Sequence, residues 1–134
     1  MGDTPLAWAV KNGHAEVMKL LLERDDLDPN KPGDGGQTPL TWAARKGNEE
    51  VVELLLARDD VSPDKPDNHG RTPLLWAASF GHEGVVKLLL GRSGVNPNKP
   101  DEEGRTPFWW ANEHGHTGVI ALLQPLTSTT HSTP

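Results

Sequence analysis

The side chains with which this chain of 134 residues could do chemistry are six histidines, nineteen aspartates and glutamates, scattered serines and one glycine-rich stretch, with no cysteine. The missing thiol removes disulfides, thiolate zinc sites, iron–sulfur clusters and cysteine nucleophiles. Gly33-Asp34-Gly35-Gly36 could in principle cradle a phosphate. It matches neither glycine-rich phosphate signature, and it precedes a Thr-Pro helix start without the required strand. Asp26-x-Asp28-x-Asn30 opens like a calcium loop, yet Lys31 stands where glycine is needed, Pro32 follows, and Gln37 replaces the bidentate glutamate. Glu113-His114-Gly115-His116 sets its histidines two apart, which breaks the helical spacing zinc prefers. The serines cluster near the C-terminus, away from any His and Asp framework, and no paired carboxylates have an obvious cleft. The expectation is a non-enzyme with no cofactor and no metal.

The elements that would have to position any site are set by a repeat. Trp8, Trp42, Trp76 and Trp110 fall 34 residues apart, as do Thr4, Thr38, Thr72 and Thr106, each followed by proline. Gly13, Gly47, Gly81 and Gly115 keep the same interval, and 21 of 34 positions are identical between residues 38–71 and 72–105. Such a period means a linear stack of one supersecondary unit that buries its apolar face against its neighbours. Within a unit, Thr is a good N-cap and Pro suits the first helical turn, where an N–H has no intrahelical partner. The first helix ends at a glycine able to adopt the left-handed conformation. A second helix starts near His14, with Val17, Met18, Leu20 and Leu21 on one face. Arg24, Arg58 and Arg92 near the last turns complement the helix dipole. Asp28-Pro29-Asn30-Lys31-Pro32 and Gly36 then demand an extended loop with a tight turn. Small Ala9, Ala43, Ala77 and Ala111 let neighbouring first helices approach closely.

Thr-Pro-Leu-x-Trp-Ala-Ala, at residues 38–44 and 72–78, followed by Gly-His or Gly-Asn, Val-Val and Leu-Leu-Leu, resembles the ankyrin repeat. The resemblance covers residues 4–124 in four in-phase copies. It implies an all-α solenoid of four helix-turn-helix units with projecting hairpin-like loops, and a concave surface that binds proteins. The expected repeats are 4–37, 38–71, 72–105 and 106–124, with 125–134 as a flexible tail. Where the family commonly has His after Thr-Pro-Leu, this chain has Ala7, Thr41, Leu75 and Trp109, so other packing must replace that histidine's hydrogen bonds. The near-uniform copies are similar to the long arrays attached to fungal NACHT-type receptor proteins.

Composition narrows the partner. Thirteen Lys and Arg against nineteen Asp and Glu give a net charge of -6, which argues against nucleic acid and anionic membrane surfaces. No apolar run reaches membrane-spanning length and no signal-peptide core opens the chain, so an intracellular, cytoplasmic protein is expected. Positions shared by all copies serve the stack, and those that differ can specify a partner. The differing positions are Lys11, Asn12, Arg45, Lys46, Ser79, Phe80, Glu113 and His114 after each Trp-Ala-x, with Asn68, His69, Glu102 and Glu103 at the loop tips. The tryptophan ladder is either inter-repeat packing or, at Trp76 and Trp110, part of the contact surface. Phe80 and Trp109 have no like counterpart in other repeats and are the better aromatic anchors. The expected function is protein–protein interaction through the inner helices and loop tips. The alternative is a structural or engineered scaffold without a dedicated partner. Gln124 in place of Leu22, Leu56 and Leu90 looks like a C-terminal cap, whereas the first repeat keeps the internal apolar pattern, so a monomer or a weak end-to-end dimer is expected.

Overall fold

The computed structural model describes residues 4–128. Among them the helices are α1 (Pro5–Lys11), α2 (Ala15–Leu22), α3 (Pro39–Lys46), α4 (Glu49–Leu56), α5 (Pro73–Phe80), α6 (Glu83–Leu90), α7 (Pro107–Glu113) and α8 (Thr117–Ser128). Each odd-numbered helix is started by its threonine. The backbone N–H groups of Ala7, Thr41, Leu75 and Trp109 donate to Oγ1 of Thr4, Thr38, Thr72 and Thr106 at 3.0–3.2 Å. Proline then occupies the first turn at no hydrogen-bond cost. Gly47 and Gly81 terminate α3 and α5 with φ of 71° and 76°, a conformation costly for any residue with a Cβ.

The helices form two layers. α1, α3, α5 and α7 lie side by side, and α2, α4, α6 and α8 form the second row behind them. Ala9, Ala43, Ala77 and Ala111 are fully buried where the first-row helices meet, as their small size predicts. Leu6, Leu40, Leu74, Val52, Val86 and Leu89 fill the space between layers. Each such burial contributes about 1.5–3 kcal/mol. At the position of the missing histidine, Ala7, Thr41 and Leu75 are buried, with Thr41 Oγ1 3.0 Å from Thr38 Oγ1, whereas Trp109 is exposed.

Hydrogen bonds between repeats come from elsewhere. His82 Nε2 lies 2.9 Å from the Arg45 carbonyl and His116 Nε2 3.0 Å from that of Ser79, both one repeat back. Arg58 Nη1 donates to the carbonyls of Leu22 and Arg24, and Arg92 Nη1 to that of Leu56 at 2.6 Å. These arginines therefore cap the C-terminus of the preceding repeat's second helix, where the dipole is negative, rather than only their own. The projecting loops contain no strand among the described residues. All three tips are closed by the same backbone bond, from Gly33 N–H to Gln37 O at 3.0 Å and from Asp67 N–H to Arg71 O and Asp101 N–H to Arg105 O at 2.9 Å, with a second bond inside each turn. Adjacent tips are tied by Asn68 N–H to Gly35 O and Glu102 N–H to His69 O.

Two expectations need correction. Of the face that spacing predicts for α2, Met18 is buried and Leu21 packs partly against the core, but Val17 and Leu20 are exposed, because no described element lies against that side of α2. Their equivalents in the third repeat, Val85 and Leu88, pack into the core with a neighbour behind them. The expected tail from Pro125 begins too early: α8 continues to Ser128 with Pro125 inside it. Apolar Leu122, Leu123 and Leu126 carry the helix onward, and a proline so near the end removes one late hydrogen bond. Residues 129–134 of that expected tail lie outside the described residues.

Candidate functional site

Trp8, Trp42, Trp76 and Trp110 set one indole per repeat along the first-row helices, and cations lie against these rings. Lys11 Nζ lies 4.5 Å from the centre of the Trp42 ring. The Arg45 guanidinium sits between Trp42 and Trp76, at 4.6 and 4.4 Å. Arg71 stands between Trp76 and Trp110 at 5.3 and 5.6 Å, and Arg105 lies 4.6 Å from Trp110 and 5.3 Å from Trp109. A cation over an indole face is stabilised by about 0.5–2 kcal/mol, so ring and charge hold each other in register. Trp42, Trp76 and Trp110 are half-buried and Trp8 is 51% exposed, so the ladder both packs and shows a surface.

Loop and helix are locked together at this row. Asp67 accepts the backbone N–H groups of His69 and Arg71 on Oδ1 and the Trp76 indole N–H on Oδ2 at 3.0 Å. Asp101 repeats the arrangement with Glu103, Arg105 and, at 3.2 Å, Trp110. Burial pushes the Asp101 carboxyl up, but the Arg105 and Glu103 amides, the Trp110 indole and the Arg105 charge outweigh it and hold it below the ordinary carboxylate range. The first tip lacks this device. Gly33 replaces the aspartate, Asp34–Gly36 forms a 3₁₀ turn, and Gln37 instead accepts from Arg45 Nη1 at 2.7 Å.

Between α5 and α7 the surface opens into a cleft of ≈ 190 Å³ lined by Arg71, Leu75, Trp76, Ser79, Phe80 and Trp110. Phe80, 47% exposed, stacks on Trp76 at 5.8 Å, and Trp109, 40% exposed, meets Trp110 edge-on at 5.1 Å. His114 stacks on Trp110 at 5.8 Å. Of the expected contact residues, the structure thus gathers Arg45, Trp76, Ser79, Phe80, Trp109, Trp110 and His114 around this row. Lys46 and Glu113 are exposed at the ends of α3 and α7, and Asn68, His69, Glu102 and Glu103 form an exposed line of tips. Asn12 is differently employed: its side-chain amide donates to the Trp8 carbonyl and finishes α1.

The family model for ankyrin repeats, in three copies, matches residues 1–67 and again 60–131. The chain belongs to the ankyrin-repeat family. Ankyrin repeats are in general protein-interaction modules, and the family is in general non-catalytic. Among curated proteins no match to the chain is found. Among the described residues no group of three His, Asp or Glu could hold a metal ion, and no helix is long and apolar enough to cross a membrane.

Differences between the ankyrin copies do not point to Arg71, Arg105, Asp67 or Asp101, because these residues are alike in the second and third loops and so count as framework. A usable signal was present: an aspartate nine residues before each of Trp76 and Trp110, replaced by Gly33 before Trp42. That pairing of a lone carboxylate with an indole N–H at constant separation marks a loop fastened to a helix.

Proposed function

We propose that this ankyrin array is a non-catalytic binding module that holds a partner protein along its first-row helices and loop tips, on the face that is concave in the family. One observation carries the reading: aromatic rings and cations alternate along the exposed side of α1, α3, α5 and α7. Rigid aromatic and arginine side chains supply most of the energy in protein interfaces. A chain with a net charge of -6 that nevertheless concentrates Lys11, Arg45, Lys46 and Arg71 on one strip favours a protein partner with an acidic segment over nucleic acid or a membrane surface. The fungal NACHT-type receptor arrays that the repeats resemble, and a cytoplasmic setting, are consistent with this role.

The test is a pull-down with wild-type protein beside the double variant Arg45→Glu, Lys46→Glu. Binding should weaken, mainly through slower association that depends on salt, while the melting temperature barely moves. Retained binding would place the interface away from Arg45 and Lys46, for example on the second row of helices. The identity of 21 of 34 positions between the middle repeats favours a competing reading, a scaffold with no dedicated partner. That reading requires wild type and variant to capture the same background proteins.

A further inference from the structure

We infer that the cleft between α5 and α7 is a recognition pocket for a peptide segment of a partner protein in which an aromatic or large aliphatic side chain lies beside a carboxylate. The inference rests on the groove reading above and deepens it. Three observations converge on it.

The first is an unsatisfied charge. Arg71 Nε is sealed from solvent and has no hydrogen-bond partner. A buried donor on a cation is expensive to leave unmade, and the Trp76 and Trp110 faces that flank it offer no lone pair. The second is the contrast with its counterpart. Arg105 is neutralised, with Nε 3.3 Å from Asp101 Oδ2 and Nη2 2.7 Å from Glu103 Oε1. At the equivalent tip His69 stands where Glu103 stands in the next repeat, which removes the partner of the terminal nitrogen. Asp67 holds the same two amides and indole as Asp101 but makes no bond to the Arg71 guanidinium, which lies between the Trp76 and Trp110 rings instead, so the Arg71 side chain has neither carboxylate. The third is size and lining. At ≈ 190 Å³, walled by Leu75, Trp76, Phe80 and Trp110, the cleft matches a single ring or branched aliphatic group. A dry cavity of about 150 Å³ already accommodates benzene, whereas drug-sized ligands need about 300 Å³ or more. An apolar side chain against Phe80 with a neighbouring Asp or Glu on the terminal nitrogens of Arg71, which unlike Nε are not sealed, fills the space and neutralises the cation. Arg45 on the far side of Trp76 extends the positive field along the peptide.

The experiment selects binders from a random peptide library displayed on phage, using the immobilised chain, and measures the best synthetic peptides by calorimetry. Expected sequences carry Asp or Glu within two positions of Trp, Phe or Leu. Affinity should fall about tenfold or more in Arg71→Gln, the loss expected for one hydrogen bond to a charged group. Phe80→Ala should do the same, and Arg71→Lys should restore only part. Arg105→Gln, whose guanidinium already has its carboxylates, should change affinity by less than about threefold. Thermal melts of Arg71→Gln check that it folds, and Phe80, being half exposed, gives an independent variant should it not. Binders that depend on Arg45 and Lys46 but ignore Arg71→Gln and Phe80→Ala would overturn the pocket and leave the groove standing. A selection with no binders, or with binders indifferent to every groove substitution, would overturn both.

Discussion

Removing the Asp67 carboxylate should unfasten the second loop from the third repeat's first helix, and the size of the effect can be worked from the hydrogen bonds. Asp67 is 6% exposed and accepts from His69 N at 2.9 Å, Arg71 N at 3.0 Å and Trp76 Nε1 at 3.0 Å. A hydrogen bond to a charged group contributes about 1.5–3 kcal/mol. Three of them on one carboxylate do not sum, since water can reach the two tip amides once the side chain is gone. Asp67→Ala should therefore cost about 3 kcal/mol. Asp67→Asn keeps an oxygen for the two amides but turns its NH2 toward the indole N–H, donor against donor, and should cost about 1.5 kcal/mol, one such bond. Glu102→Ala, at an exposed tip position, should stay within about 0.5 kcal/mol of wild type. Urea unfolding followed by tryptophan fluorescence measures the differences, and amide exchange locates them. In a linear stack the loss of protection should begin at residues 67–76 and leave the first repeat unchanged. An alanine variant within about 0.5 kcal/mol of wild type, or Asn as damaging as Ala, would refute the account of this carboxylate as the loop's fastening.

The same reasoning yields four further expectations. Gly81→Ala should destabilise more than Gly115→Ala, since both have positive φ but a Cβ at Gly81 would stand 2.6 Å from His116 Nδ1 while Gly115 faces open space; equal melting temperatures would contradict this. Arg58→Ala should cost about 2 kcal/mol through loss of its bonds to the Leu22, Arg24 and Leu27 carbonyls, and Arg58→Lys should not restore it, because an ammonium lacks the guanidinium fork. The folded Asp101 carboxyl lies below its unfolded value, so its contribution is fully present above about pH 4 and drains away as pH falls through the folded value; Asp101→Asn should show a smaller drop in urea midpoint between pH 7 and pH 3 than wild type. Thr72→Ala should cost about 1 kcal/mol by loss of the N-cap while leaving partner affinity intact once folding is allowed for, which paired denaturation and binding titrations check.

What was legible in the sequence is what each repeat does alone. Thr-Pro starts, Gly47 and Gly81 stops and the buried Ala9, Ala43, Ala77 and Ala111 all follow from local backbone chemistry and a 34-residue period. What was not legible depends on the neighbour. The burial of Val85 and the exposure of Val17 concern equivalent residues, and only the presence or absence of a helix alongside distinguishes them. The reach of Arg58 and Arg92 to the preceding repeat, and of His82 and His116 to carbonyls one repeat back, spans more than thirty residues, a distance on which local pattern is silent. For the candidate site, the differing positions Phe80 and Ser79 were found by comparing copies, but Arg71 was hidden by its likeness to Arg105.

That hidden arginine shows how a uniform array becomes specific. The rings recur at every repeat and the aspartate fastenings at two, so geometry alone would give every inter-repeat notch the same preference. The notches differ in what the cation beside the rings is bonded to. Arg45 is turned toward Gln37, Arg105 toward Asp101 and Glu103, and Arg71 toward no acceptor for its Nε. Tip and groove residues share the decision: Arg45 is supplied by α3 where the next repeats carry Ser79 and Glu113, the first loop has Gln37 where the others have Arg71 and Arg105, and the second and third loops differ at His69 against Glu103. Substitution at an exposed tip costs the fold little. It resets the charge presented several residues away, so partner preference can change from notch to notch while the buried framework stays fixed.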